Sequence, residues 1–86
     1  MEFRFAKSIN NYGISDESAT YLIENDKGFE VGLSREGNKK IAWVGFDQFG
    51  VRVECIAIIF FDHYYIMHLK PIDPKEDINE IKKRLW

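Results

Sequence analysis

Residues 51–70, VRVECIAIIFFDHYYIMHLK, decide the fold of this 86-residue chain. The stretch is the longest apolar run and the richest in β-branched and aromatic residues, which favour strands. After an alternating start it becomes continuously apolar, which is typical of a central strand covered on both faces. A reversal at residues 61–64 divides it into strands at residues 51–61 and 65–70. The sequence therefore predicts a core hairpin on which the rest of the chain is organised.

Two further strands are predicted before this hairpin. Residues 29–33 alternate between apolar and polar side chains, which indicates a half-exposed strand near an edge of the sheet. A turn at residues 34–38 leads into a strand at residues 39–46. The next turn contains Gly50, which can take the positive φ angle that the loop requires.

The N-terminal region combines signals for a strand and for helices. Residues 2–6 alternate as in a short strand, while Phe5, Ile9 and Tyr12 have helical spacing. Ser15, followed by two acidic residues, predicts a helix start, because its hydroxyl can accept from unpaired amides at the start of residues 16–25.

The C-terminal region predicts one more helix. Asp73 is placed to act as N-cap, with Pro74 at the first helical position and Glu76 closing a capping box. Glu80 and Arg84 have the i, i+4 spacing of an ion pair. The apolar stripe consists of Ile78, Ile81 and Leu85.

These elements predict an α+β fold in one domain, residues 1–86. Its parts are an N-terminal helix (or a short strand plus helices), a four-stranded antiparallel meander and a C-terminal helix. The chain has no long apolar segment of the kind that spans a membrane, and we expect a cytoplasmic protein without membrane contact. Cys55 is the only cysteine and is expected to be a small core residue.

The motifs of most enzyme classes are missing from the sequence. There is no glycine-rich phosphate loop, no cysteine or histidine pair at metal-ligand spacing and no serine elbow. His63 and His68 are five residues apart, so a regular strand directs them to opposite faces. We therefore expect neither a metal nor a cofactor. The twelve basic and fourteen acidic residues also argue against bulk electrostatic binding of nucleic acid, although a local basic patch remains open.

His68 and Lys70 are the best candidates for chemistry. They lie two residues apart on one face of a strand and combine a group that titrates near neutrality with a cation. Cleavage of an RNA phosphodiester needs a base for the 2′-hydroxyl proton and a cation for the charged phosphorane. The structural alternative is a partly buried histidine beside an ordinary edge lysine.

Arg52 and Glu54 form a second polar pair on one face of the central strand. An odd number of residues in the last hairpin loop would place them beside His68, whereas an even number would place Cys55 and Ala57 there. The sequence leaves both options open. Around an earlier hairpin, the basic residues Arg35, Lys39 and Lys40 are candidates for RNA contact or are simply solvated turn charges.

The segments GISDESATYLIEND, GFDQFGVRVECIAI and IMHLKP resemble small toxins of type II toxin–antitoxin pairs, of the RelE-like and BrnT-like kind. The resemblance covers about two-thirds of the chain and includes a G-x-D-x-x-G turn at Gly45, Asp47 and Gly50. The matching positions further along the chain are Glu54, His68 and Pro71.

This resemblance implies an endoribonuclease that cleaves RNA, in some members on the ribosome, and that a cognate antitoxin inhibits. The arginine that usually follows the proline is Asp73 here, and a family histidine is Tyr12. Catalysis by His68 would then depend on Lys70 and Arg52 as phosphate stabilisers and on Glu54 as an orienting residue. The alternative is a non-catalytic module that docks a partner protein or forms a homodimer through its sheet.

Overall fold

A computed structural model describes residues 2–7 and 13–85. The predicted helical turns on Ile9 and Tyr12 lie outside these residues. No helix in the described part of the chain is long and apolar enough to cross a membrane. The elements, in chain order, are β1 (Glu2–Phe5), α1 (Asp16–Asn25), β2 (Phe29–Leu33), β3 (Lys39–Phe46), β4 (Arg52–Ile59), β5 (His63–Pro71) and α2 (Ile78–Leu85).

The strands form one five-stranded sheet in the order β1-β5-β4-β3-β2. Strands β2 to β5 make the predicted antiparallel meander, with β4 at the centre and β2 at an edge. The predicted count of four strands is wrong, because β1 pairs in parallel with β5 and adds a fifth. Nothing local in the sequence signals this pairing, since β1 and β5 are separated by most of the chain.

Helix α1 covers one face of the sheet. Ala19 and Leu22 from α1 are fully buried against the strands. Ser15 occupies the N-cap position as predicted, but its hydroxyl lies 3.3 Å from Ser18 Oγ and caps no amide. The sheet residues buried in this core are Trp43, Val53, Cys55, Ala57, Ile66 and Leu69.

Helix α2 packs on the opposite face of the sheet. Its Ile81 is buried with Val44 of β3 and with Ile72, which directly follows β5. This second core is smaller than the first, because α2 has only eight residues. The two helices therefore lie on opposite faces of the sheet.

The predicted start of this helix at Asp73 is wrong. Asp73 Oδ1 accepts from the Lys75 amide at 2.9 Å, but the chain forms a turn there and α2 begins at Ile78. The residue that caps α2 is Asp77, whose Oδ1 accepts from the Asn79 amide at 2.8 Å.

Arg52 gives the physical reason for this late start. Its NH1 group donates to the carbonyl oxygens of Pro74 at 3.2 Å and Glu76 at 2.8 Å. In a helix beginning at Asp73, these two carbonyls would accept from amides four residues further on. The guanidinium takes their place and stabilises the turn.

The two faces of β4 are covered unequally, which differs from the predicted burial of both. Val53, Cys55 and Ala57 are fully buried on the α1 face. On the α2 face, Ile56 and Ile58 are only half-buried. Helix α2 is too short to reach this part of the sheet, so part of the central strand remains open to solvent.

Candidate functional site

A buried carboxylate, Glu54, lies at the centre of the candidate site. The side chain is 2% exposed and contacts the side chains of His68, Lys70 and Arg84, with which it forms what we call the Glu54 cluster. Glu54 Oε1 lies 3.1 Å from His68 Nε2 and 3.8 Å from Lys70 Nζ. Glu54 Oε2 accepts from Arg84 NH2 at 2.7 Å. A carboxylate is costly to bury unless it is paired, and this one is paired three times.

A β-bulge brings His68 to the face of Glu54. The β4–β5 hairpin closes with a hydrogen bond from the Phe60 amide to the His63 carbonyl, which leaves a two-residue loop. With a regular register, this even-numbered loop would place His68 opposite Cys55, inside the α1 core. The register instead shifts at Met67, so that His68 pairs with Ile56 and Lys70 pairs with Glu54. The bulge therefore decides the question that the sequence left open.

Arg84 is a site residue that the sequence reasoning missed. The predicted pairing with Glu80 is not among the ion pairs of the structure, in which Arg84 contacts Glu54 and, at 3.6 Å, Glu76. The sequence does indicate that Arg84 faces the sheet, because it lies three residues after the buried Ile81 and therefore on the same side of α2. Its partner on β4 could not be read from the sequence.

The side chains of His68, Lys70 and Arg84 are accessible to solvent, whereas the Glu54 carboxylate beneath them is buried. Their side-chain exposures are 33% for His68, 35% for Lys70 and 45% for Arg84. Glu54 therefore holds the three side chains in position from below, and their outer sides face solvent. The charges of Lys70 and Arg84 are balanced by Glu54 and by Glu76, which lies 3.6 Å from Arg84, so an additional anion would be recognised by hydrogen bonds from the exposed side chains.

The contact with Glu54 also indicates which ring nitrogen of His68 carries the proton. A carboxylate oxygen accepts a hydrogen bond, so the Nε2 beside Glu54 carries the proton when the ring is neutral. The Nδ1 atom then holds the free electron pair. No hydrogen-bond partner of Nδ1 is found within residues 2–7 and 13–85, and a histidine oriented in this way can act as a base.

The guanidinium of Arg52, predicted as a phosphate stabiliser, contacts the turn before α2 and not Glu54. Arg52 lies on β4 opposite Phe46 and binds the two carbonyls of the turn before α2. This contact ties the turn to the sheet and thereby supports the position of Arg84. The guanidinium is a structural support in this arrangement, and the arginine that contacts Glu54 is Arg84.

The three predicted RNA-binding residues are not assembled at the Glu54 cluster. Arg35 is exposed in the β2–β3 turn, and Lys39 lies 3.8 Å from Glu30 at the sheet edge. Lys40 shares the sheet face of Glu54, since its cross-strand partner on β4 is Ile58. It lies four residues along β3 from the partner of Glu54, a distance of about 13 Å.

The G-x-D-x-x-G turn has a structural explanation. Asp47 Oδ1 accepts from the amides of Phe49 and Val51, both at 2.9 Å, and Oδ2 accepts from Ser18 Oγ at 3.0 Å. Gly50 has a φ angle of +78°, which favours glycine. A Cβ atom on Gly45 would lie 2.9 Å from Leu22 Cδ1 of α1. The motif thus holds α1 against the sheet.

His63 and the cysteine lie outside the candidate site. The His63 ring stacks on Phe60 at 4.6 Å, and its hydrogen bond to Asp62 lowers the pKa of that carboxyl. Burial raises the pKa of the Cys55 thiol to about 12, which keeps it protonated. Among the side chains that the structure describes, no three His, Cys, Asp or Glu residues are grouped so as to hold a metal ion.

A scan of protein-family models gives no match to the chain, and searches of curated proteins and of solved structures give none. The resemblance to RelE-like and BrnT-like toxins therefore stays a prediction based on short sequence motifs. The Glu54 cluster has to be interpreted from its own geometry.

Proposed function

We propose that this protein is an RNA-cleaving toxin of a type II toxin–antitoxin pair and that the Glu54 cluster is its active site. The observation that carries the proposal is the contact of His68 Nε2 with a buried carboxylate, which leaves Nδ1 available beside two cations. The proposal includes action in the cytoplasm and inhibition by a cognate antitoxin. Both follow from the resemblance of the sequence to RelE-like and BrnT-like toxins.

The proposed reaction uses the 2′-hydroxyl of the RNA as nucleophile. His68 Nδ1 accepts the proton of this hydroxyl, and the 2′-oxygen forms a bond to phosphorus. The bond from phosphorus to the 5′-oxygen breaks, that oxygen takes a proton from water, and the hydroxide left behind takes the proton from His68 Nδ1. The products are a 2′,3′-cyclic phosphate and a 5′-hydroxyl.

The neighbouring side chains have supporting roles in this reaction. Lys70 and Arg84 stabilise the negative charge that grows on the phosphoryl oxygens. Such electrostatic stabilisation of the transition state is usually the largest single contribution to catalysis. Glu54 orients the imidazole and stabilises its charged form after proton transfer, as a carboxylate behind a catalytic histidine does. The protein supplies the base and the cations, and water supplies the proton for the leaving oxygen.

Induced expression without the adjacent gene tests the proposal in cells. We expect growth arrest with the wild type and none with His68→Ala, with both proteins at equal level. The matched control is His63→Ala, which removes the other histidine and should still arrest growth. Arrest by His68→Ala at the wild-type level would refute the proposed mechanism.

A protein-binding module is the second candidate function. The observation that favours it is the edge strand β2, where a groove of about 420 Å³ is lined by Glu30, Val31, Gly32 and Leu33. An edge strand offers unpaired backbone groups to a partner peptide or to a second copy of the chain. This candidate predicts no growth arrest and no dependence on His68, so the same experiment separates the two functions.

A further inference from the structure

Three apolar side chains on the α2 face of the sheet belong to neither core. Ile56 and Ile58 of β4 and Tyr65 of β5 are half-buried and lie beyond the reach of α2. The strand register places Tyr65 directly beside Ile58, and Ile56 follows two residues along β4. We call these three residues the open strip.

Cationic side chains flank the open strip within the sheet itself. Lys40 pairs with Ile58 from β3, and Arg4 pairs with Tyr65 from β1. The four residues form one row across four strands, with a cation at each end and about 14 Å between the outer strands. Two acidic residues lie near the Arg4 end of this row: Glu2 is paired with Arg4, and Asp62 also acts on the guanidinium, so that both raise the pKa of Arg4.

The open strip is continuous with the Glu54 cluster. His68 pairs with Ile56, while Tyr65 pairs with Ile58, so the two rows are about 7 Å apart along β4. The same face therefore presents an anion-binding cluster, then an aromatic ring with two aliphatic side chains, and cations on both sides. An aromatic ring flanked by cationic side chains is the arrangement that binds single-stranded nucleic acid, since the ring stacks on an unpaired base and the cations contact the phosphates.

We propose that the open strip is a stacking site for an unpaired base of single-stranded RNA, whose backbone passes Lys40 and Arg4 and leads into the Glu54 cluster. This inference rests on the proposed function and adds the substrate class. A duplex hides the faces of its bases, so a stacking site selects single strands. A protein partner would need an acidic and apolar surface, and would not account for the continuity with His68.

Binding of a labelled, uncleavable 2′-O-methyl oligonucleotide, measured by fluorescence anisotropy, tests the inference. We expect Tyr65→Ala to weaken binding by about tenfold or more, since stacking on an aromatic ring is sequence-tolerant and strong. Tyr65→Phe should bind as the wild type does. The matched control is Phe61→Ala, which removes a fully exposed aromatic ring at the β4–β5 loop. If Tyr65→Ala and Phe61→Ala bound the oligonucleotide with equal affinity, the inference would be overturned. It would also be overturned if Tyr65→Ala lost as much affinity for a duplex as for the single strand.

A second measurement uses the unmodified protein. In methyl spectra we expect the oligonucleotide to shift the signals of Ile56 and Ile58 and to leave that of buried Ile81 in place. Shifts of Ile56 and Ile58 that depend on protein concentration without RNA would mean that a second copy covers the strip, and would overturn the inference.

The two proposals fail in different ways. Normal oligonucleotide binding by Tyr65→Ala together with loss of cleavage in His68→Ala would reject the stacking site and leave the nuclease intact. Weakened binding by Tyr65→Ala together with full cleavage by His68→Ala would support the stacking site and reject His68 as the catalytic base.

Discussion

At the scale of single residues, Glu54 gives the site its geometry. A buried carboxylate without partners is strongly destabilising, so its contacts with His68, Lys70 and Arg84 also contribute to folding. In the proposed reaction the same contacts also orient the imidazole and the two cations. A change of Glu54 itself is therefore expected to affect both stability and the proposed activity.

Asp47 is buried like Glu54, yet its role is structural, and its removal should mainly affect stability. Asp47→Ala removes the acceptor of two amides and of the Ser18 hydroxyl. We expect the free energy of unfolding in urea to fall by about 1–3 kcal/mol, mainly because the buried Ser18 hydroxyl loses its partner. Asp47→Asn keeps one carbonyl oxygen and should lose less. Glu36→Ala, in an exposed turn, serves as control, and an equal effect of both alanine variants would contradict this role.

Cys55 predicts a dependence of stability on pH. Burial raises the pKa of its thiol to about 12, whereas the thiol of the unfolded chain ionises near its ordinary value. The stability that the protonated thiol provides is complete below that ordinary value and is lost as the pH rises towards 12.

The measurement compares the wild type with Cys55→Ala in urea at pH 7 and pH 10. The stability advantage of the wild type should shrink by about 1.5–2 kcal/mol at pH 10. A constant difference between the two proteins would show that the thiol is not buried as described.

At the scale of elements, the bulge in β5 separates what the sequence could predict from what it could not. The residues Glu54, His68 and Lys70 were recognisable as polar groups at the ends of two apolar strands. Whether they share a face depends on Met67, an ordinary strand residue with no turn signal. A single extra residue reverses the face of all that follow it, so periodicity alone could not settle the arrangement.

The start of α2 illustrates a second limit. The capping box at Asp73 satisfied every local rule, yet Arg52, which is distant in sequence, binds the carbonyls that a helix would use. Local signals predict which conformations are available to a segment. Contacts between distant residues decide among them.

Arg52 therefore should control the order of α2. Arg52→Met keeps the aliphatic stem and removes both hydrogen bonds to the turn at Pro74 and Glu76. We expect faster amide hydrogen exchange in α2, with α1 unchanged as an internal reference, because α2 loses a tether to the sheet. Arg35→Met, in an exposed turn, is the matched control. Unchanged exchange in α2 would refute the support that we assign to Arg52.

At the scale of the whole molecule, the fifth strand could not be predicted because its pairing is remote. Residues 2–6 were recognisable as a short strand, but only the folded sheet reveals β5 as its parallel partner. This addition matters for the proposed stacking site, since β1 places Arg4 beside Tyr65. The meander and both helices were predictable from periodicity, because each buries a regular stripe.

The net charge of −2 does not describe how charge is distributed over the surface. Lys40, Lys70 and Arg84 lie on one sheet face, where Glu54 and Glu76 are paired with Lys70 and Arg84. A composition that argues against bulk binding of nucleic acid is therefore compatible with a local site. Sequence counts could not separate these cases.

The most direct test of the central claim is the identity of the RNA ends that the purified protein produces. A single-stranded RNA should be cleaved to a 2′,3′-cyclic phosphate and a 5′-hydroxyl, identified by mass spectrometry, and its 2′-O-methyl form should remain intact. His68→Ala should cleave at least about a hundredfold more slowly, and His63→Ala at the wild-type rate. Equal cleavage by His68→Ala, or products with a 5′-phosphate, would contradict the assignment of the Glu54 cluster as a ribonuclease site.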